Sequence, residues 1–204
     1  NSACVREAAV KGLAMISEKG NRNVVLAMAE LVEEERAITV RSAALQALTR
    51  VAERGDEVAV APVLKLLRRV EGTERGDFFS PHLSPIISKN AAKALGSLAE
   101  YGDLKALKAL HLRVLDDPNP VVREAAARAL GSIANMGDRQ VIFALTICLE
   151  DEDEGVRRSA MRSLKSLKKK EKDDRSLSDL LAEEDDMLEW YATWLWLVSL
   201  AWDC

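Results

Sequence analysis

The sequence predicts an all-α solenoid, and three observations carry that assignment. First, four stretches are near-copies of one another: VREAAVKGLAMISEKG (5–20), VRSAALQALTRVAERGD (40–56), ISKNAAKALGSLAEYGD (87–103) and VREAAARALGSIANMGD (122–138). A fifth, VRRSAMRSLKSLKKK (156–170), begins the same way and then decays. Self-similarity at a period of 35 residues, as between Gly20 and Gly55, marks a stack of supersecondary units. Second, small and aliphatic residues recur within each copy at steps of three and four, the spacing of one helical face. Third, each of the first four copies stops at a Gly followed by Asn or Asp.

The elements follow in order. Aligned on the Val-Arg start, the fifth position reads Ala9, Ala44, Ala91, Ala126 and Ala160, and the eighth Gly12, Ala47, Ala94, Ala129 and Ser163. The ninth reads Leu13, Leu48, Leu95, Leu130 and Leu164, and the twelfth Ile16, Val51, Leu98, Ile133 and Leu167. These positions share one face of an A helix, with small residues where a neighbour crosses and aliphatics filling the layer between. Gly20-Asn21, Gly55-Asp56, Gly102-Asp103 and Gly137-Asp138 then end the A helix and open a B helix. Glycine tolerates the left-handed conformation that terminates a helix, and the following Asn or Asp accepts from the free amides of the next one. The B helices are expected near 22–34, 58–70, 104–116 and 139–150. Pro62 falls in the second and either kinks it or marks its first turn.

An acid stands six residues before the repeat arginine: Glu35 with Arg41, Asp117 with Arg123, and Asp151 with Arg157. The third unit has Ser88 in the arginine slot. These are either solvated surface charges or, as the recurrence favours, a ladder. In a ladder each arginine hydrogen-bonds the acid at the preceding turn between units and fixes the stacking angle.

These residues resemble the HEAT-like repeats of the phycobilisome-lyase type, whose pattern VRxxAxxALxxIGDxxAIPxLxxLxDxD this chain carries most of four times over about residues 3–167. The resemblance implies a right-handed α-α superhelix of about four to five helix pairs, with A helices on the convex side and B helices on the concave side. It also implies protein binding in most members, bilin-lyase activity in a minority, and iron hydroxylase or DNA glycosylase activity in more distant relatives. An iron site of the hydroxylase kind resembles repeated His-Glu pairs, and here neither His82 nor His111 precedes Glu. No basic groove with aromatic and acidic groups suggests a glycosylase.

Three segments depart from the repeat. Gly55 to Gly102 spans 47 residues, and the excess is a loop near 71–85, EGTERGDFFSPHLSP. Its Phe78 and Phe79 either pin the loop to the core or anchor a partner; Ser84-Pro85 reads as the N-cap and first residue of the next helix. On the B helices, one outward position reads Leu26, Ala61, Lys108 and Phe143, and another Glu30, Lys65, Leu112 and Ile147. Phe143 and Ile147, four apart, form an apolar anchor if that helical phase is right and belong to the core if it is off by one. Lys65 and Lys108, with Arg68 and His111, make the surroundings mixed in charge. The third departure is 171–204, read as a non-repeat helical tail following a solenoid of residues 1–170. It holds all four tryptophans, Trp190, Trp194, Trp196 and Trp202, in an apolar run of 13 residues from Trp190 to Trp202. That run is short of the roughly 20 residues of a membrane-spanning helix. The tail either caps the stack, docks into the groove of this or another copy, or touches a membrane or a lost interface.

Composition narrows the function. A net charge of −4 argues against a dedicated nucleic-acid binder. Cys4, Cys148 and Cys204 are odd in number and dispersed, which points to a reducing intracellular compartment, the cytoplasm being the simplest, with Cys148 a small core residue. A start at Asn1, close to a repeat boundary, points to a fragment of a longer chain. No nucleophile triad, metal-ligand spacing or phosphate loop is present in the sequence, and no cofactor is implied. The expected function is a non-catalytic protein–protein interaction scaffold that binds through the concave face and the repeat-breaking elements. Self-association through the Trp-rich tail is an added expectation; neither nucleic acid nor a membrane is an expected partner. The alternatives are a bilin-lyase-like enzyme and a nucleic-acid-binding HEAT-like module.

Overall fold

The computed structural model describes residues 2–68 and 84–171. Within them the chain is helical: α1 (Ala3–Ile16), α2 (Arg22–Glu34), α3 (Ile38–Val51), α4 (Glu57–Arg68), α5 (Pro85–Leu98), α6 (Leu104–Asp116), α7 (Pro120–Ile133), α8 (Arg139–Ile147), a 3-10 turn (Cys148–Glu150) and α9 (Glu154–Glu171). The odd-numbered helices are the A helices and the even-numbered ones the B helices. Each A helix up to α7 is followed by a tight turn. Gly20, Gly55, Gly102 and Gly137 take φ of 85°, 83°, 74° and 71° there, the left-handed region that glycine enters without strain. The next residue caps the B helix: Asp103 accepts from the amides of Lys105 at 2.8 Å and Ala106 at 3.2 Å, and Asn21 and Asp138 cap α2 and α8 in the same way. Pro62 lies in the second turn of α4, not its first. Ser84 caps α5 with Pro85 as its first residue, as the sequence predicts.

The packing follows a single rule. Each A helix packs on the A helices before and after it, and each B helix lies against the A helix of the following unit, α2 on α3, α4 on α5, α6 on α7, α8 on α9. Inner positions such as Ala44, Leu48, Val51, Ala126, Leu130 and Ile133 are fully buried, and one continuous core runs along the array. The turns are tied across units as well. The amides of Gly20, Gly55 and Gly102 donate to the carbonyls of Val51, Leu98 and Ile133 at 2.6, 2.7 and 2.7 Å, so each turn satisfies the C-terminus of the next A helix. The array is an α-α superhelix of stacked helix pairs.

Spacing between A helices depends on two positions. Gly96 of α5 and Gly131 of α7 admit the neighbour so closely that an added Cβ would lie 2.9 Å from Ala129 and 2.4 Å from Ser163. The matching residue of α3 is Thr49. There the seam with α5 opens into a shallow groove of about 350 Å³, lined by polar side chains including Gln46, Thr49, Asn90 and Ser97.

Candidate functional site

The outer row of the B helices is the part of each unit that the continuous core leaves at the surface. Leu26, Leu112 and Ile147 are 47%, 40% and 40% exposed, Glu30, Lys65, Ala61 and Lys108 are exposed, and Phe143 is half-buried. The helical phase expected from the sequence therefore holds, and Phe143 and Ile147 belong to the outer row and not to the core. Leu112 of α6 occupies the repeat position of Ile147 on α8, and Lys108 that of Phe143. The two helices pack side by side, so the row gathers two aliphatics and an aromatic at its C-terminal end. At the N-terminal end the same row is mixed, Leu26 and Ala61 alternating with Glu30 and Lys65. Lys65 bridges from α4 to Glu33 of α2 at 2.5 Å. Beside Leu112, burial pushes the His111 imidazole below its ordinary pKa against the pull of Asp116 and Asp138.

The arginine ladder exists, but its register differs from the sequence reading. Arg6 holds the Glu35 carboxylate at 2.8 and 3.0 Å, and Arg123 holds Asp151 through two bonds of 2.8 Å. In both, the carboxylate belongs to the turn that follows the arginine's own unit, not the one that precedes it. The preceding turn is contacted through its backbone: Arg123 donates to the carbonyl oxygens of Asp117 and Pro118, and Arg157 to those of Asp151 and Glu152. The reason is reach. An arginine at the fourth residue of an A helix stands between two turns and presents one nitrogen edge to each. Arg41 sits half-buried at the same position of α3. The Asp117 carboxylate is held by a residue that the sequence reading passed over: Arg113, at 3.1 Å, both side chains buried. Arg113 also donates to the carbonyl of Leu67 at 2.6 Å and so ties α6 back to α4. The available signal was Ser88, which removes the ladder arginine that Asp117 would otherwise meet. Arg54 was also passed over. It caps α5 through the carbonyls of Ala99 and Gly96, at 3.0 and 3.3 Å, and stacks 4.4 Å over the ring centre of Tyr101.

Cys148 is buried, and its burial pushes the thiol up to about 11, a poor nucleophile, while Cys4 is exposed. Phe78, Phe79, His82, Trp190, Trp194, Trp196, Trp202 and Cys204 lie outside the described residues. Among the described residues no group of three or more His, Cys, Asp or Glu is placed to hold a metal ion, and no helix is long and apolar enough to cross a membrane.

A family profile for HEAT repeats matches residues 112–192. The repeats are HEAT-like. This HEAT-like array is similar in fold to two solved structures. Human deoxyhypusine hydroxylase in complex with glycerol is 23% identical at a TM-score of 0.52, over 74% of this chain and 46% of that one. An engineered protein is 24% identical at a TM-score of 0.56, over 83% of this chain and 77% of that one. The chain thus spans less than half of the human hydroxylase. No curated protein sequence matches it.

Proposed function

We propose that this HEAT-like array is a non-catalytic scaffold whose B-helix face seats a protein partner, with Phe143, Ile147 and Leu112 as the apolar anchor. One observation carries the reading: α8 is the one described B helix on which both outer-row positions are large and apolar, Phe143 half-buried and Ile147 exposed, and the exposed Leu112 of α6 lies beside them. A half-buried aromatic beside two exposed aliphatics is the composition of an interface centre, and Lys108 with the other exposed charges supplies a polar rim. The HEAT-like fold supports it, since stacked helix pairs present an extended surface for binding.

The test is affinity capture from cells of the source organism with the full chain as bait, comparing Phe143→Ala/Ile147→Asp with Leu26→Ala. The first variant is expected to weaken binding of the captured protein by ~10-fold or more, since truncation at a hot spot removes about 2 kcal/mol. The second, in the same row on α2, is expected to leave it unchanged. Equal retention by both variants, or turnover of a substrate by the isolated chain, would overturn the proposal.

A further inference from the structure

The last described helix pair exposes an edge that every earlier pair covers. On the A helices, Leu45, Ala92 and Ala127 face the next unit and are fully buried, yet Met161, at the same repeat position of α9, is 49% exposed. On the B helices, Val25, Val60 and Leu107 are buried, as are Val32, Leu67 and Val114; the matching Ile142 and Leu149 are only partly buried. Around this apolar edge the outer side of α9 is basic. Arg162, Lys165 and Lys168 are exposed, and Arg158 beside them holds Glu154.

We propose that this edge is the seat of the chain's own residues 172–204. Four properties of that segment fit the seat. It follows α9 directly. It supplies 33 residues, as many as run from Arg139 to Glu171 to make the pair before it. It carries Leu177, Leu180, Leu181 and all four tryptophans, enough apolar surface to cover Met161, Ile142 and Leu149. Its nine acidic and two basic residues oppose the sign of the α9 row, so docking is favoured by charge as well as by burial. The HEAT-repeat match also runs through residue 192, well into this segment, where the sequence reading ended the repeats at 170. Seated there, the tryptophans leave the list of partner anchors, and the acidity of the whole chain resides on the piece that covers its basic end.

Because every tryptophan lies in 172–204, indole emission reports on that segment alone. The expected result for the full chain is a blue-shifted emission, shielded from a soluble quencher and independent of protein concentration. Met161→Glu/Lys165→Glu should shift it to the red and restore quenching with helical content of the array retained. Met15→Glu, on the exposed side of α1 at the other end, should do neither. A second measurement covers the chance that the double variant loosens α9. With Cys4 and Cys204 replaced by Ser and the unreactive Cys148 left in place, a short-range quencher on Lys165→Cys should dim the tryptophans, and one on Met15→Cys should not. Emission like that of the denatured chain, or no dimming from position 165, overturns the proposal. A blue shift that rises with concentration alongside a doubled mass overturns it in favour of a second copy as the source of the segment.

Discussion

Glu35 shows how one residue position sets a measurable property. Its carboxylate accepts two bonds from Arg6 and one from the amide of Ala37 at 2.9 Å, and the Arg6 bond is the larger cause of a pKa lowered from 4.5 to about 2. A carboxylate lowered on folding stabilises the native state fully above its unfolded value, and that contribution drains away as pH falls toward the folded one. The contribution is therefore complete above pH 4.5 and lost between there and about 2. Glu35→Gln should lower the urea midpoint at neutral pH, and the gap to the parent chain should close by about pH 2. A gap of equal size at both ends would mean that the amide has lost something other than the charge. The sequence placed Glu35 in a ladder for the right reason, its fixed distance from the repeat arginine, but not in the right register. Arginine reaches both neighbouring turns, and spacing alone does not choose between them.

Helix boundaries were legible because each is set by a residue with a local physical job: a turn glycine at positive φ, an Asn or Asp cap, a Pro at the first position. Distances between helices were less legible, since they depend on pairs of residues about 35 positions apart. Gly131 and Gly12 make the point. Both are glycines in A helices, and both lower helix propensity by the same amount. An added Cβ at Gly131 meets Ser163 at 2.4 Å and its Cα at 3.0 Å, whereas at Gly12 nothing lies within 4 Å. Gly131→Ala should therefore destabilise by about 1–3 kcal/mol through overpacking against a backbone that cannot retreat. Gly12→Ala should instead stabilise by roughly 0.5–1 kcal/mol through the entropy of the unfolded chain. Opposite signs in a pair of denaturation curves test both; equal signs would mean that the α7–α9 contact relaxes freely. Arg113 escaped the sequence reading for the same reason. Its job is defined by Ser88, 25 positions earlier, which leaves Asp117 without a ladder arginine.

Across the whole molecule, stability in a stack is close to a sum over units and the interfaces between neighbours, so position in the array decides local stability. α1 packs on α3 alone among the A helices, and its inner positions are open: Leu13 and Ile16 are 37% and 82% exposed where Leu130 and Ile133 are fully buried. α7 has close A-helix neighbours on both sides, seated through Gly96 and Gly131, with α6 beneath it. The α3–α5 seam lies between these extremes. Thr49 widens it into a groove, yet Arg54, the Gly55 amide and the 2.6 Å bond from Asn90 to Ser42 cross it. Hydrogen exchange followed along the chain should therefore show α1 and α2 opening first, α3 and α4 next, and α5 through α7 last. Arg54→Ala, which removes the bonds to α5 and the stack on Tyr101, should speed exchange in α3 and α4 while leaving α7 unchanged. Uniform protection from α1 to α7 would mean that the array opens as one cooperative unit and that the wide seam carries as much coupling as the glycine-packed ones.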